Sequence, residues 1–154
     1  MDILEELKKL VERLDKERIQ YALCGGLAMA IYALPRATLD IDIMIESDSL
    51  EKISRAIDVL GFNISAMPME FQGGKVRIHR LSKIEDSTGE TLVLDLLIVT
   101  SEIRQAWESR RNVEWEGGTL SVVSVEGLVL LKSFRKSGQD QDDIQYLRSI
   151  IDED

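Results

Sequence analysis

The residues of this 154-residue chain whose types and spacing could do chemistry are carboxylates. Asp40 and Asp42 stand two apart in Leu39-Asp40-Ile41-Asp42-Ile43-Met44-Ile45, a segment that alternates apolar and acidic residues and then turns wholly apolar. That is the pattern of a strand with one partly polar face. Side chains alternate along a strand, so both aspartates point to one side, with Cα atoms about 6.6 Å apart. Two like charges beside apolar neighbours are costly unless a cation neutralises them, and hard oxygen donors select Mg²⁺ or Mn²⁺ over softer metals. The competing reading is a solvated strand face that happens to carry two acids; the low strand propensity of Asp stands against it. A third carboxylate, Asp95, interrupts the apolar run Leu92-Val93-Leu94-Asp95-Leu96-Leu97-Ile98-Val99. An ionised side chain there needs a partner, because its desolvation costs on the order of several kcal/mol. If the two strands are neighbours, the three carboxylates can hold a pair of ions about 3.5–4 Å apart, the spacing that serves phosphoryl transfer.

Other residues have two readings each. Gly25-Gly26 lets the backbone approach a ligand, and the helix after it offers free N–H groups and a positive dipole end to phosphate; a plain tight turn explains the pair equally well. Arg36 carries a guanidinium suited to phosphate, or is a solvated loop arginine. Lys132 lies in the apolar stretch 125–134, where a buried lysine needs an anionic partner and a snorkelling one needs none. Asp140 and Asp143 are three apart and share one side of the last helix, with capping the competing role for Asp140. Lys75, Arg77 and His79 share a strand face, either a basic acceptor-binding strip or a solvated surface. Cys24, in the apolar run Tyr21-Ala22-Leu23-Cys24, reads as a small buried hydrophobe rather than a nucleophile.

The elements that must position these residues follow from periodicity. Ile3, Leu4, Leu7, Leu10, Val11 and Leu14 predict an amphipathic helix over 2–18. A strand over 19–24, the glycine turn and a helix from Leu27 that Pro35 ends come next, then the acidic strand over 39–45. Ser47-Asp48-Ser49 offers caps for a helix to about Leu60, with Gly61 as its stop. Strands are expected near 62–67, at 75–82 after Gly73-Gly74, and at 92–99. A short helix near 101–109 precedes a hairpin in which 113–115 and 119–122 flank Gly117-Gly118. Two helices, about 124–136 and 139–151, complete an α+β order with a mixed β-sheet flanked by helices.

Composition narrows the function. Lys plus Arg total 19 against 28 for Asp plus Glu, giving 19 − 28 = −9, so the surface as a whole repels polyanions and any nucleic-acid contact must be local. One cysteine argues against a disulfide framework and for a reducing, cytoplasmic setting. No apolar run approaches the roughly 18 residues of a membrane span, and the charged N-terminus does not read as a signal peptide. With no repeat, low-complexity stretch or linker, residues 1–154 read as one domain.

Taken together, Gly25-Gly26, then Arg36-Ala37-Thr38-Leu39-Asp40-Ile41-Asp42-Ile43, then a third strand aspartate resemble the polymerase-beta-like nucleotidyltransferase superfamily. The ending Lys132, Asp140, Asp143, Ile144 is similar to that of its minimal AbiEii-type branch, known as toxins in abortive-infection and toxin–antitoxin systems. The resemblance spans about residues 20–148. It implies a nucleotidyltransferase fold with an NTP such as ATP on the glycine turn and Arg36, Mg²⁺ or Mn²⁺ on Asp40, Asp42 and Asp95, Lys132 against the triphosphate, and Asp143 at the nucleotide. The implied activity is transfer of a nucleoside monophosphate to a hydroxyl of tRNA, a protein or a small molecule, by a two-metal mechanism. Two departures stand out: Gly26 replaces a serine common in the superfamily, and no additional helical domain follows to hold an acceptor. Both favour the alternative, a non-catalytic binding module acting through a protein partner or a second copy of the chain.

Overall fold

The computed structural model describes residues 1–32, 40–134 and 138–153, with residues 138–141, 143, 152 and 153 described by backbone alone. The chain opens with helix α1 (Ile3–Lys16), capped by Asp2, whose Oδ1 accepts from the Leu4 and Glu5 amides at 2.9 and 3.4 Å. Those bonds satisfy two of the N–H groups that a helix start leaves free. Leu7, Leu10, Val11 and Leu14 form its buried stripe, as the spacing predicts.

Strand β1 (Ala22–Cys24) runs directly into α2 (Gly25–Ile31), so the two glycines begin the helix instead of forming a separate turn before it. Strand β2 (Asp40–Ile45) carries the acidic pair. A short 3₁₀ turn (Ser47–Ser49) leads into α3 (Leu50–Asp58), and Ser49 makes no side-chain capping bond. Gly61, at φ +98°, follows as the left-handed stop.

Then come β3 (Ile64–Ser65), β4 (Met69–Phe71), β5 (Val76–Ile84) and β6 (Thr91–Ile98). The short α4 (Arg104–Glu108) precedes a hairpin of β7 (Arg111–Trp115) and β8 (Gly118–Val122), and α5 (Val125–Lys132) and α6 (Gly138–Glu153) end the described chain. The hairpin turn is Glu116-Gly117, both at positive φ (50° and 78°), and Gly118 is the first residue of β8, paired with Trp115. The expected Gly117-Gly118 turn is thus displaced by one residue. A two-residue turn with both φ positive matches the twist of the flanking strands.

The sheet order is β3-β5-β6-β2-β1-β8-β7, with β4 also on β5. β2 runs parallel to β6 and β1 to β8; the other pairings are antiparallel, so the sheet is mixed. One face is apolar through the centre: Ile41, Ile43, Leu94 and Leu96 are all fully buried. Helix α1 covers this side, since its Glu6 reaches Lys83 Nζ at 2.7 Å and Lys83 alternates onto the same side as buried Leu81. α1 is tied to α3 by the Arg13 Nε bond to the Ala56 carbonyl at 2.9 Å. The other face carries Asp42 and Asp95 as register partners.

Candidate active site

Register decides what meets what on that other face. Cys24 pairs with Asp42, Asp42 with Asp95, and Asp95 with Arg80. Partners in a ladder share a side of the sheet, so Cys24, Asp42, Asp95 and Arg80 form one row across β1, β2, β6 and β5. Asp40 shares Asp42's side two residues away, in the adjacent row with Val93. The adjacency of the two acidic strands, which the sequence reading required, is therefore the observed pairing.

Gly25 closes the β1 end of the row. It adopts φ +67°, and a Cβ built on it would lie 2.3 Å from Asp42 Oδ2 and 2.7 Å from Asp42 Cγ. Only a residue without a side chain lets the backbone come so near that carboxylate. The close approach that the glycine pair implied is thus made, in the described structure, to Asp42.

Asp95 is buried, at 6% exposure. Arg80 Nε donates to its Oδ1 at 2.7 Å and Nη2 to its Oδ2 at 2.9 Å, a bidentate charge-assisted pair. The desolvation penalty that the sequence reading assigned to a bound cation is met here by a guanidinium. The hydrogen bond to Asp95, ahead of the charges of Asp95, Asp40 and Asp42, raises the Arg80 pKa above its ordinary value. Arg80 is thus a fixed positive charge facing three carboxylates.

Sequence reasoning missed Arg80 because it grouped Lys75, Arg77 and His79, which alternate onto the opposite side. There Arg77 pairs with Glu70 at 3.5 Å and His79 meets Ser65 Oγ at 3.3 Å. A signal was present: Val76, Ile78 and Arg80 form the apolar side of β5 interrupted by one charge, the mirror of Asp95 in β6.

Lys132 is buried at 4% exposure in the last turn of α5, on the inward stripe with Val125 and Leu128, so the snorkelling alternative does not describe it. Asp140 and Asp143 are on α6, with side chains outside the described residues, as is the whole of Arg36 together with Pro35 and Leu39. Cys24 is buried and carries no disulfide.

As a cation site, this face of the sheet has the right donors: three hard carboxylates, two of them register partners. Their arrangement is not closed, since among the described residues no group of three or more His, Cys, Asp and Glu side chains is gathered as a metal site. Both oxygens of Asp95 bond to Arg80.

Solved structures share this fold. A candidate nucleotidyltransferase from Thermotoga maritima matches over 99% of this chain and 94% of its own, with 19% identity and a TM-score of 0.61. The antibiotic-resistance factor ANT(2'')-Ia in solution matches over 98% and 86%, with 12% identity and a TM-score of 0.66. The same factor in complex with adenylyl-2''-tobramycin matches over 94% and 87%, with 14% identity and a TM-score of 0.63. The fold is therefore that of the nucleotidyltransferases. Residues 6–147 match the aminoglycoside-2''-adenylyltransferase family, nearly the whole chain, and the protein belongs to that family. A comparison with curated proteins finds no match. The resemblance to the AbiEii-type branch gains no support from these comparisons; the superfamily does. No described helix is long and apolar enough to cross a membrane.

Proposed function

We propose that the protein transfers a nucleoside monophosphate from an NTP to a hydroxyl of a small, cationic, hydroxylated acceptor of the aminoglycoside kind. The observation that carries this is the row Cys24-Asp42-Asp95-Arg80 with Asp40 beside it and Gly25 packed on Asp42. In the reaction the acceptor oxygen bonds to the α-phosphorus, the bond to the β-phosphate bridge breaks, pyrophosphate leaves and the hydroxyl proton passes to solvent. A divalent cation, Mg²⁺ or Mn²⁺, fits the carboxylates and would supply charge neutralisation and orientation of the phosphates. Asp40 and Asp42 would hold it, with Asp95 facing the acceptor side. Gly25 keeps the helix start close to Asp42, so the amides of α2 can meet the triphosphate. Lys132 and Arg36 would add positive charge to the nucleotide, with Asp143 nearby.

The acceptor assignment rests on charge and on family. A net charge of −9 favours a polycation over a polyanion such as tRNA, and an adenylylated aminoglycoside is the ligand named with one of the structures of similar fold. The second reading, a non-catalytic binding module working through a protein partner, has one observation on its side: the Arg80 pair satisfies Asp95 with no ligand. Pyrophosphate release separates the two. With each of the four NTPs in Mg²⁺ and tobramycin as acceptor, the enzyme reading expects release with at least one NTP. Asp42→Asn should lower it by on the order of 10²-fold or more. Near-normal turnover in that variant refutes the role of Asp42, and no release with any NTP favours the binding module.

A further inference from the structure

A polar hollow of about 660 Å³ opens before the start of β1, walled by the α1–β1 and α4–β7 connections and by residues of β7 and β8. Its most buried lining residue is Tyr21, 4% exposed, whose hydroxyl accepts from the Ser121 amide at 3.2 Å. Among the described residues the proton of that hydroxyl has no acceptor, and a buried donor left unspent is costly until a ligand or water meets it. Arg110 is held in place beside it. Its Nη1 donates to the Trp107 carbonyl at 2.9 Å and its Nη2 to Gln20 Oε1 at 3.3 Å, with the guanidinium 4.0 Å from the centre of the Trp107 ring. Arg111, also on the wall, lies over the Tyr32 ring at 5.4 Å. The side chains of Arg18, Asn112 and Ser121 complete the donor set, and among the described residues they make no hydrogen bond or ion pair.

Arg18 stands just past the C-cap of α1 at φ +57°. A helix stop in the left-handed region is usually glycine, so an arginine there bears a conformational cost that glycine avoids. The lining sets Arg18, Arg110 and Arg111 against Asp15 and Glu108, a sum of +3 − 2 = +1, in a chain whose net charge is −9. Three guanidiniums with hydroxyl and amide donors beside them suit a tetrahedral oxyanion, which takes several donors at once. We propose that this hollow binds a phosphate group, as free phosphate or on a small phosphorylated molecule, at a site separate from the carboxylate row. Tyr21 precedes Cys24 by three positions, about 10 Å of extended chain, so the two sites lie at opposite ends of β1. Arg18 is exposed, and solvent screening keeps the expected affinity in the millimolar range.

The test titrates inorganic phosphate, and separately ribose 5-phosphate, into the ¹⁵N-labelled protein at constant ionic strength and follows the backbone amide resonances. Saturable shifts are expected at Arg18, Asn112 and Ser121, and the tighter of the two probes tells free phosphate from a phosphorylated molecule. Shifts confined to Gly25 and Gly26, beside the carboxylate row, overturn the proposal, as do shifts that sodium chloride alone reproduces. Arg111→Gln should weaken phosphate binding about tenfold, through loss of a charge-assisted donor. Arg18→Gly gives a readout that a merely structural arginine would not: glycine suits φ +57°, so the urea midpoint should hold or rise while phosphate binding falls about tenfold. Unchanged binding in both variants overturns the site. Should circular dichroism show Arg111→Gln to be unfolded, unchanged binding in Arg18→Gly alone does the same.

Discussion

Replacing Gly25 by alanine isolates what the glycine at the β1–α2 junction does. The added Cβ would lie 2.3 Å from Asp42 Oδ2, where ordinary contact begins near 3.4 Å. Something must yield by 3.4 − 2.3 = 1.1 Å, and either the Asp42 carboxylate moves off the row or the helix start backs away from it. Both displace a group proposed to position the reacting phosphate, and a shift of about 1 Å at such a group costs on the order of 10²-fold in rate. The φ of +67° adds a stability loss of about 1–2 kcal/mol, the cost of putting a Cβ in the left-handed region.

A control separates the two effects. Gly117 has φ +78° with nothing within 4 Å of its built Cβ, so Gly117→Ala bears the backbone cost without the collision. Urea unfolding should show both variants destabilised, Gly117→Ala by about 1–2 kcal/mol and Gly25→Ala by at least as much. Pyrophosphate release should fall only in Gly25→Ala. If Gly25→Ala turns over within about twofold of Gly117→Ala, the close approach to Asp42 has no part in positioning and the argument from register to chemistry fails.

Two further expectations concern the scaffold. Tyr21 is 4% exposed and its hydroxyl accepts from the Ser121 amide at 3.2 Å; burial, the largest cause, pushes its pKa from 10.0 up to about 12. The folded state keeps this proton where the unfolded state has lost it, so the contribution is complete below pH 10 and declines as pH rises toward 12. The total is about 2–3 kcal/mol. Urea titrations at stepped alkaline pH should show that decline, reduced in Tyr21→Phe to the residual slope from Tyr32, which burial also raises. Gly127, inside α5, would place a Cβ 2.5 Å from both Ser109 Oγ and Val123 Cγ1 and 3.2 Å from Ala106 Cα. Gly127→Ala should therefore destabilise by about 1–3 kcal/mol despite alanine's helix preference, because overpacking against α4 outweighs roughly 1 kcal/mol of propensity; a raised urea midpoint would contradict this.

What the sequence made legible was periodic. The stripe of α1, the alternation of β2 and the apolar run of β6 each carry their own period, and the acidic residues in the two strands, a pair in β2 and one in β6, pointed to the shared face. What it hid was local strain and cross-strand register. β4 is three residues long after Met67-Pro68, too short for a period to show. The hairpin turn took Glu116 at φ 50° in place of the second glycine, with Trp115 paired to Gly118. The helix starting at Gly25 was hidden for a related reason: the glycine answers to Asp42, seventeen positions away, and not to its neighbours.

Arg80 is the fullest case of this. Asp95 alone in an apolar strand demands a cation, and sequence reasoning supplied one from solution because the chain's own cation sits on another strand, fifteen residues earlier. Three carboxylates on one face repel one another in every state of the protein, before any ligand arrives. A fold that gathers them is stabilised by a resident positive charge, which Arg80 supplies at Asp95. A lysine could supply the charge but not both bonds to Asp95; a second buried carboxylate partner could supply neither. A half-exposed arginine in register with a buried aspartate supplies the charge and both bonds, so the cation that satisfies Asp95 is the chain's own.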